Sequence, residues 1–181
     1  MIISALKERN DSEKRVAIVP DVAKKLVNDG HKVLIEAGAG EQSFFSDASY
    51  IASGAEISNL DEIISKTDVL LVIEIPSKDI LSKVKNDLNL IGLLNPFDNQ
   101  DSFEYFKNKS ISAFSMELVP RITRAQSMDV LSSQANLSGY RAVINATSLY
   151  SKSMAMMMTA AGTVAPAKVF VMGVGVAGLQ A

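Results

Sequence analysis

The sequence of 181 residues contains no cysteine and only one histidine, His31. A chain without cysteine forms no disulfide, offers no thiolate nucleophile and builds no sulfur-based metal site. A single histidine cannot supply a histidine-rich metal site. His31 follows Gly30 at the start of a predicted strand, which is typical of a surface or edge residue. The sequence therefore predicts no metal centre and no cysteine-based catalysis.

The chain also lacks an excess of one charge and any long apolar run. Its formal net charge is −2, which gives no indication of nucleic acid or an anionic membrane surface as a partner. No apolar stretch approaches the roughly 20 residues of a membrane span. The N-terminus has neither the basic nor the apolar region of a signal peptide. We therefore expect an intracellular protein that reaches a membrane only through partner subunits.

Short apolar segments alternate with segments of helical pattern over the first 130 residues. This alternation predicts an α/β fold with a Rossmann-like open, mainly parallel sheet. The stretch from Asp68 to Ile75 is the most apolar, so it is predicted as a central strand that is covered on both faces. The other predicted strands span residues 1–6, 31–36, 88–94 and 111–116, and the predicted helices span residues 20–30, 47–54, 60–66, 78–84 and 101–108.

A polar loop, defined here as residues 119–133, separates the last of these strands from a helix predicted at about residues 130–150. One interpretation is a capped helix start, because Thr123 and Gln126 have the spacing of a capping box. The other is a polar clamp for a small anionic or amide-bearing ligand, since arginine gives a planar donor fork and Gln126 gives both donor and acceptor. Asp129 and either Ser132 or Ser133, three or four residues further on, would share a helix face. The loop's polar residues include Arg121, Arg124, Gln126, Ser127, Asp129, Ser132 and Ser133.

The long helix carries small residues at spacings of three and four, which permit close packing. They predict a core helix that also connects two domains. Residues 154 to 158 contain four methionines in a predicted loop, and such clusters usually serve adaptable packing. The face in question consists of Leu131, Ala135, Gly139, Ala142 and Ala146.

A glycine turn, defined here as residues 173–178, follows a predicted strand at residues 169–172. Its G-x-G-x-x-G pattern is typical of dinucleotide binding: Gly173 permits the tight turn, Gly175 lets the backbone approach a pyrophosphate, and Gly178 permits close helix packing. The acidic residue expected about 20 positions later would lie beyond Ala181. We therefore expect residues 1–130 to form one Rossmann-like domain, 131–150 a connector helix, and 151–181 the truncated start of a second Rossmann domain. Residues 165–181 are expected to pack on the connector helix or on a symmetry-related chain.

With these motifs the chain resembles the NAD-binding alpha subunits of proton-translocating NAD(P) transhydrogenases, a family related to alanine dehydrogenase. The run from Arg124 to Asp129 is specific to the transhydrogenase branch. The residues that carry the resemblance are 14–20, 36–40, 120–133, 139–142, 159–162 and 173–178.

The resemblance implies that NAD(H) binds to the second domain while the polar loop reaches over the nicotinamide. It implies Gln126 and Asp129 as catalytic residues. The cofactor-binding residues that it implies are Arg121, Gln126, Ser127, Met128, Asp129, Ser132, Gly173, Gly175, Val176, Ala177 and Gly178.

The family's activity, as the resemblance implies it, is direct hydride transfer from NADH to NADP⁺ bound by a partner component. A membrane component couples this transfer to proton translocation. A homodimer at the inner face of the inner membrane is implied as well. The 181-residue chain alone is expected to be inactive and to bind NADH far more weakly than the complete component.

Two alternatives remain. An alanine dehydrogenase would carry a lysine and a histidine in its substrate pocket, where this chain has Glu74 and Asn95. Arg15, which would bind a substrate carboxylate in that branch, is interpreted here as structural. The other alternative is a truncated, non-catalytic fragment that acts as a folded module.

Overall fold

The computed structural model describes all residues from 1 to 181. The chain divides into two compact units, Met1–Val119 and Pro120–Ala181. The polar loop therefore groups with the long helix that follows it, and the domain boundaries expected from the sequence at residues 130 and 150 stay predictions.

The first unit is built on a six-stranded sheet in the order β3-β2-β1-β4-β5-β6. All five neighbouring strand pairs are parallel, which confirms the predicted open parallel sheet. The strand predicted as central is β4, and it lies between β1 and β5. The strands and helices are β1 (Ile2–Ala5), α1 (Pro20–Asn28), β2 (Lys32–Glu36), α2 (Asp47–Ala52), β3 (Glu56–Ser58), α3 (Leu60–Lys66), β4 (Val69–Glu74), α4 (Lys78–Lys83), β5 (Asn89–Leu93), α5 (Ser102–Asn108) and β6 (Ser112–Ser115).

The core of this unit lies on both faces of the sheet. Side chains alternate along each strand, so Ile3 of β1 faces one cluster and its neighbour Ile2 faces the other. Helices α3, α4 and α5 contribute to one cluster, and α1 and α2 to the other. Two-sided burial explains why β4 is a nearly continuous apolar run.

Two sets of buried hydroxyls in the first unit have partners, whereas the buried Ser115 hydroxyl and one buried carboxylate oxygen of Glu117 have none. The Ser4 and Thr67 hydroxyls lie 2.7 Å apart, and both residues are buried. The Tyr50 hydroxyl donates to the Ile18 carbonyl at 2.7 Å. Burial, with a smaller contribution from nearby Asp47, raises the pKa of Tyr50 to about 12. These bonds tie α2 and α3 to the elements beside them without leaving these hydroxyls unpaired inside.

The second unit contains a 3₁₀ helix (Thr123–Met128), α6 (Val130–Leu149), a two-stranded antiparallel hairpin of β7 (Met157–Thr159) and β8 (Gly162–Val164), and α7 (Val176–Gln180). The predicted long helix is α6, with bounds within one residue of expectation. Helix α7 packs on α6, as expected for the C-terminal segment. None of the helices combines the length and the apolar character that crossing a bilayer requires.

Four local predictions are wrong. Helix α6, predicted as a core helix, buries only Gly139. Residues 169–172 form no strand, because a strand needs a neighbouring strand to pair its backbone groups. The methionine segment is not all loop, since Met157 and Met158 belong to β7. The capping box does not form: Thr123 is the first residue of the 3₁₀ helix, and no side chain caps that helix.

Candidate functional site

The second unit holds a cleft of about 380 Å³ in which the polar loop, α6 and the glycine turn meet. Two predicted residues from the N-terminal half of this unit, Arg121 and Ser132, line it. The glycine-turn residues that line it are Gly173, Gly175, Val176, Ala177 and Gly178. About 40 residues of chain separate Ser132 from Gly173, so only the fold brings the two groups together.

The other predicted residues do not line the cleft. Gln126, Ser127 and Met128 lie on the 3₁₀ helix and are exposed. Asp129 follows them and is half-buried. Three further residues line the cleft that the motif did not indicate: Leu131 and Ala135 of α6, and Met172. The spacing of four between Leu131 and Ala135 places them on one helix face, and this is the signal that identifies them.

The glycine turn is shaped by backbone contacts that side chains would prevent. Gly173 has φ 116°, in the region that favours glycine. A β-carbon on Gly178 would lie 2.1 Å from the Gly173 carbonyl oxygen. The turn therefore closes on itself between its first and third glycines, and leaves backbone rather than side chains at the cleft wall.

Asp129 is the N-cap of α6. Its Oδ1 accepts the Ser132 backbone N–H at 2.9 Å, and its Oδ2 accepts the Ser132 hydroxyl at 2.7 Å. The Arg121 Nε lies 4.0 Å from Oδ2. The Ser132 backbone N–H is the largest cause that lowers the pKa of Asp129, followed by the Ser132 hydroxyl, with Arg121 adding to it. Asp129 is therefore a carboxylate at neutral pH and cannot act as a proton donor there.

Gln126 differs from Asp129 in having no structural role for its side chain. Its amide makes no hydrogen bond in the structure, and only its backbone carbonyl is used, by the Asp129 N–H at 3.3 Å. The neighbouring Ala125 is the buried residue that anchors the 3₁₀ helix. An exposed amide on an anchored turn can donate and accept at once.

The first unit has a smaller cleft, of about 60 Å³, at the carboxyl ends of β1 and β4. The strand order reverses there, which is where open α/β sheets usually bind ligands. The segment between β1 and α1 contains no glycine, so no phosphate-binding turn follows β1. Glu36, at the end of β2, accepts from the Lys7 backbone N–H at 2.8 Å and from Arg9 at 2.5 Å. A carboxylate engaged in this way is not free for a ribose.

The charged residues near this cleft are also engaged with one another. The Arg15 guanidinium donates to both oxygens of Glu13, with Nε at 2.8 Å and Nη2 at 2.6 Å. This hydrogen bond is the main reason that the pKa of Glu13 is lowered. Burial raises the pKa of Glu8, whose carboxylate accepts the N–H groups of Ile73 and Glu74.

Glu74 and Asn95 are the residues expected, from the family resemblance, at the places of the lysine and histidine of an alanine dehydrogenase. The Asn10 amide donates to Glu74. The Asn95 backbone N–H donates to Glu117, and Asn95 has φ 41°. Neither side chain supplies a positive charge for a substrate carboxylate. No group of three or more acidic or histidine residues is placed to hold a metal ion.

Comparison with protein families gives two adjacent matches. Residues 4–138 match the family described as alanine dehydrogenase/PNT, N-terminal domain, and residues 142–181 match the corresponding C-terminal domain. Together the matches cover both units.

Individual relatives agree with this. Two proteins, from Rickettsia prowazekii and Rhodospirillum rubrum, are named as the first part of an NAD(P) transhydrogenase alpha subunit. Each is 46% identical over 100% of this chain and 49% of its own. The alanine dehydrogenase of Mycolicibacterium smegmatis is 30% identical over 100% of this chain and 49% of its own. The chain thus spans about half the length of the curated relatives it matches.

Among solved structures, too, a transhydrogenase is more similar to this chain than an alanine dehydrogenase is. The transhydrogenase from Sinorhizobium meliloti superimposes with a TM-score of 0.95 at 45% identity, over 99% of this chain and 54% of that chain. An L-alanine dehydrogenase superimposes with a TM-score of 0.83 at 22% identity, over 99% of this chain and 50% of that chain. The second match shows a shared fold.

Proposed function

Because the chain belongs to the alanine dehydrogenase/PNT family, as the match over residues 4–138 shows, we propose that it is the NAD(H)-binding component of a proton-translocating NAD(P) transhydrogenase. The observation that carries the proposal is the cleft in the second unit, where Arg121 and Ser132 face the glycine turn. Arg121 gives this cleft a cation, and the turn gives it a bare backbone wall. Both suit an anionic dinucleotide.

The bound dinucleotide supplies the hydride, and the residues of the chain bind and orient it. Gly173 and Gly175 leave room for the backbone to approach the pyrophosphate. The Gln126 amide is free to pair with the carboxamide of the nicotinamide ring. Asp129, held by Ser132, stays charged and keeps Arg121 near the cleft. Hydride transfer needs orientation and exclusion of water rather than a proton donor, which agrees with the absence of histidine from this unit.

The remaining partners follow from the same proposal. The relatives' name describes one portion of an alpha subunit, which indicates that other components complete the enzyme. NADP⁺ would be held by one partner component, and a membrane component would couple hydride transfer to proton movement. A homodimer of this component, peripheral at the inner face of the inner membrane, completes the assembly. This chain by itself is expected to lack transhydrogenase activity.

The alanine dehydrogenase alternative is disfavoured by the state of Arg15. Its donor fork is engaged by Glu13 through two bonds, so it does not present a free guanidinium to a substrate carboxylate. Glu74, in the lysine's place, adds a negative charge near the cleft. The chain should therefore support no NADH oxidation with pyruvate and ammonium.

The test measures NADH-dependent reduction of an NADP⁺ analogue by the assembled components, with this chain joined to the remainder of its subunit. Gln126→Ala should slow hydride transfer by about 10- to 100-fold, because orientation is lost, while the melting temperature stays unchanged. Gln100→Ala, which removes another glutamine, in the first unit and on its exposed surface, is the matched control and should have wild-type turnover. Unchanged turnover in Gln126→Ala would contradict the assigned role. A wild-type assembly that fails to reduce the analogue would contradict the proposed function.

A further inference from the structure

Helices α6 and α7 touch backbone to backbone at Gly139. Gly139 is the buried residue of α6. A β-carbon at this position would lie 2.1 Å from the Ala177 carbonyl oxygen and 3.0 Å from the Ala177 Cα. Contacts below 3.0 Å are essentially never seen for real β-carbons, so any larger residue must move α7 away. Ala177 belongs to the glycine turn.

A second contact supports the same pair of helices. The Asn136 amide donates to the Gln180 side-chain carbonyl at 2.8 Å. Asn136 lies three residues before Gly139, on the same face of α6. Leu131, Ser132 and Ala135 of this helix line the cleft opposite the turn. The first residues of α6 therefore form the cleft wall, and the next turn of the helix, with Asn136 and Gly139, contacts α7.

The contact with α6 matters because the turn has little other support. Residues 169–172 form no strand. The side chains of Phe170 and Met172 are largely exposed, and Gly173 and Gly175 have nothing near the positions of their missing β-carbons. The position of the turn relative to Arg121 and Ser132 thus depends on how closely α7 approaches α6.

We propose that Gly139 is a positioning residue for the dinucleotide turn. This inference rests on the proposed function, since it assigns Gly139 a role in that same cleft. By admitting the Ala177 backbone against α6, Gly139 sets the width of the cleft between the turn and Ser132. An alanine at position 139 would displace α7 by about 1 Å, because packed backbones cannot compress to absorb a methyl group.

The first measurement is hydrogen exchange in the full chain. The Leu179 N–H donates to the Gly175 carbonyl at the start of α7, and the Ala181 N–H donates to the Ala177 carbonyl at its end. Gly139→Ala should speed their exchange by about tenfold or more, because α7 can no longer pack closely against α6. Ser138→Ala introduces the same residue at the preceding, exposed position of α6 and should leave exchange unchanged. Alanine at 139 favours α6 itself, so the melting temperature should not fall.

The second measurement is titration of NADH with the same variants, at concentrations up to the millimolar range if needed. Gly139→Ala should raise the dissociation constant by about tenfold, without a matching loss of thermal stability. Asn136→Ala loosens the same helix contact without a clash, and should give a smaller change in the same direction. Ser138→Ala should bind as the wild type does.

The outcomes separate the two claims. Unchanged exchange at Leu179 and Ala181 in both Gly139→Ala and Asn136→Ala would overturn the positioning role, whatever the binding result. A wild-type chain that binds no NADH, in these titrations and when joined to the remainder of its subunit, would overturn the proposed function and the role in dinucleotide binding. If Gly139→Ala weakens NADH binding and also lowers the melting temperature, the loss of binding reflects a loss of stability. That result would overturn the positioning role.

Discussion

At the scale of single residues, Phe44 combines a left-handed backbone conformation with a side chain that is almost fully exposed to solvent. Its φ is 62° and its side chain is 98% exposed. The left-handed conformation costs a residue with a β-carbon about 1 kcal/mol, and no packing offsets that cost here. Phe44 therefore lowers the stability of the first unit, and its exposed side chain makes no packing contacts that compensate.

We predict that Phe44→Gly stabilises the chain by about 0.5–1 kcal/mol, because glycine accepts this conformation freely. Urea unfolding followed by circular dichroism measures the change. Phe97 is 75% exposed and is absent from the positive-φ residues, so Phe97→Gly is the control and should not stabilise. An equal effect of both substitutions would show that backbone strain is not the cause.

Asp129 and Gln126 lie three residues apart, and their side chains differ in the hydrogen bonds that they make. The Asp129 carboxylate caps α6 through Ser132, whereas the Gln126 amide has no partner in the structure. A substitution at Asp129 therefore changes both the helix start and the charge near Arg121, and the two effects need separate variants.

Asp129→Asn keeps an oxygen for the Ser132 N–H and removes the charge. We predict that it retains the melting temperature within about 2 °C yet slows hydride transfer in the assembled enzyme by roughly 10-fold or more. Asp129→Ala removes cap and charge and should lower both quantities. If Asp129→Asn has wild-type turnover, the charge near Arg121 plays no role in the reaction.

At the scale of elements, Asp68 joins the amino ends of β1 and β4 to the chain after α4. Its Oδ2 accepts the Ile2 N–H at 2.8 Å, and the Lys85 Nζ lies 2.5 Å from Oδ1. The Lys85 ammonium is the main cause that lowers the pKa of Asp68, followed by the Ile2 N–H. Both partners favour the charged form.

The sign of the pH dependence follows from this lowered pKa. The contribution of Asp68 is fully present above the ordinary aspartate pKa, and it is lost as the pH falls through the lower folded-state pKa. We predict that Asp68→Asn destabilises the chain at neutral pH, and that its difference from wild type shrinks between about pH 5 and about pH 2. Urea unfolding at each pH measures it. Asp11→Asn, in an exposed turn, serves as control, and a difference that is constant with pH would contradict the prediction.

At the scale of the whole molecule, the hydrophobic core is concentrated in the first unit. Both clusters of buried apolar side chains lie between Ile3 and Ile111. The second unit buries few side chains of its own and exposes many large apolar ones, among them Leu137, Met158 and Phe170. The fold of the first unit therefore has its own source of stability.

We predict that residues 1–119, produced alone, unfold in a single cooperative transition. The melting temperature should lie within about 5 °C of the main transition of the full chain, because both core clusters are retained. Leu81 is fully buried, so Leu81→Asp in the same fragment is a control that should abolish the transition. A fragment that unfolds without cooperativity would show that the first unit depends on the second.

Patterns in the amino-acid sequence are enough to predict the parallel sheet, the central place of β4 and the bounds of α6. Each rests on a local pattern: alternation of strand-like and helix-like segments, an apolar run, and a long segment of helical spacing that follows a polar run. Gly30 follows the end of α1 with φ 83°. A glycine is expected to end a helix in this way, since few other residues accept that conformation. The glycine turn can be predicted from the sequence for the same reason, because its backbone conformation requires glycine.

Which groups have hydrogen-bond partners depends on the three-dimensional fold. It paired Arg15 with Glu13. It made Asp129 the N-cap of α6 and left the 3₁₀ helix that begins at Thr123 without a side-chain cap. It also left residues 169–172 without a strand. It also placed Gly139 against Ala177, so that a small residue on α6 bears on a turn far along the chain. Hydrogen bonds and close contacts between distant segments depend on distances in space, and sequence spacing does not specify those distances.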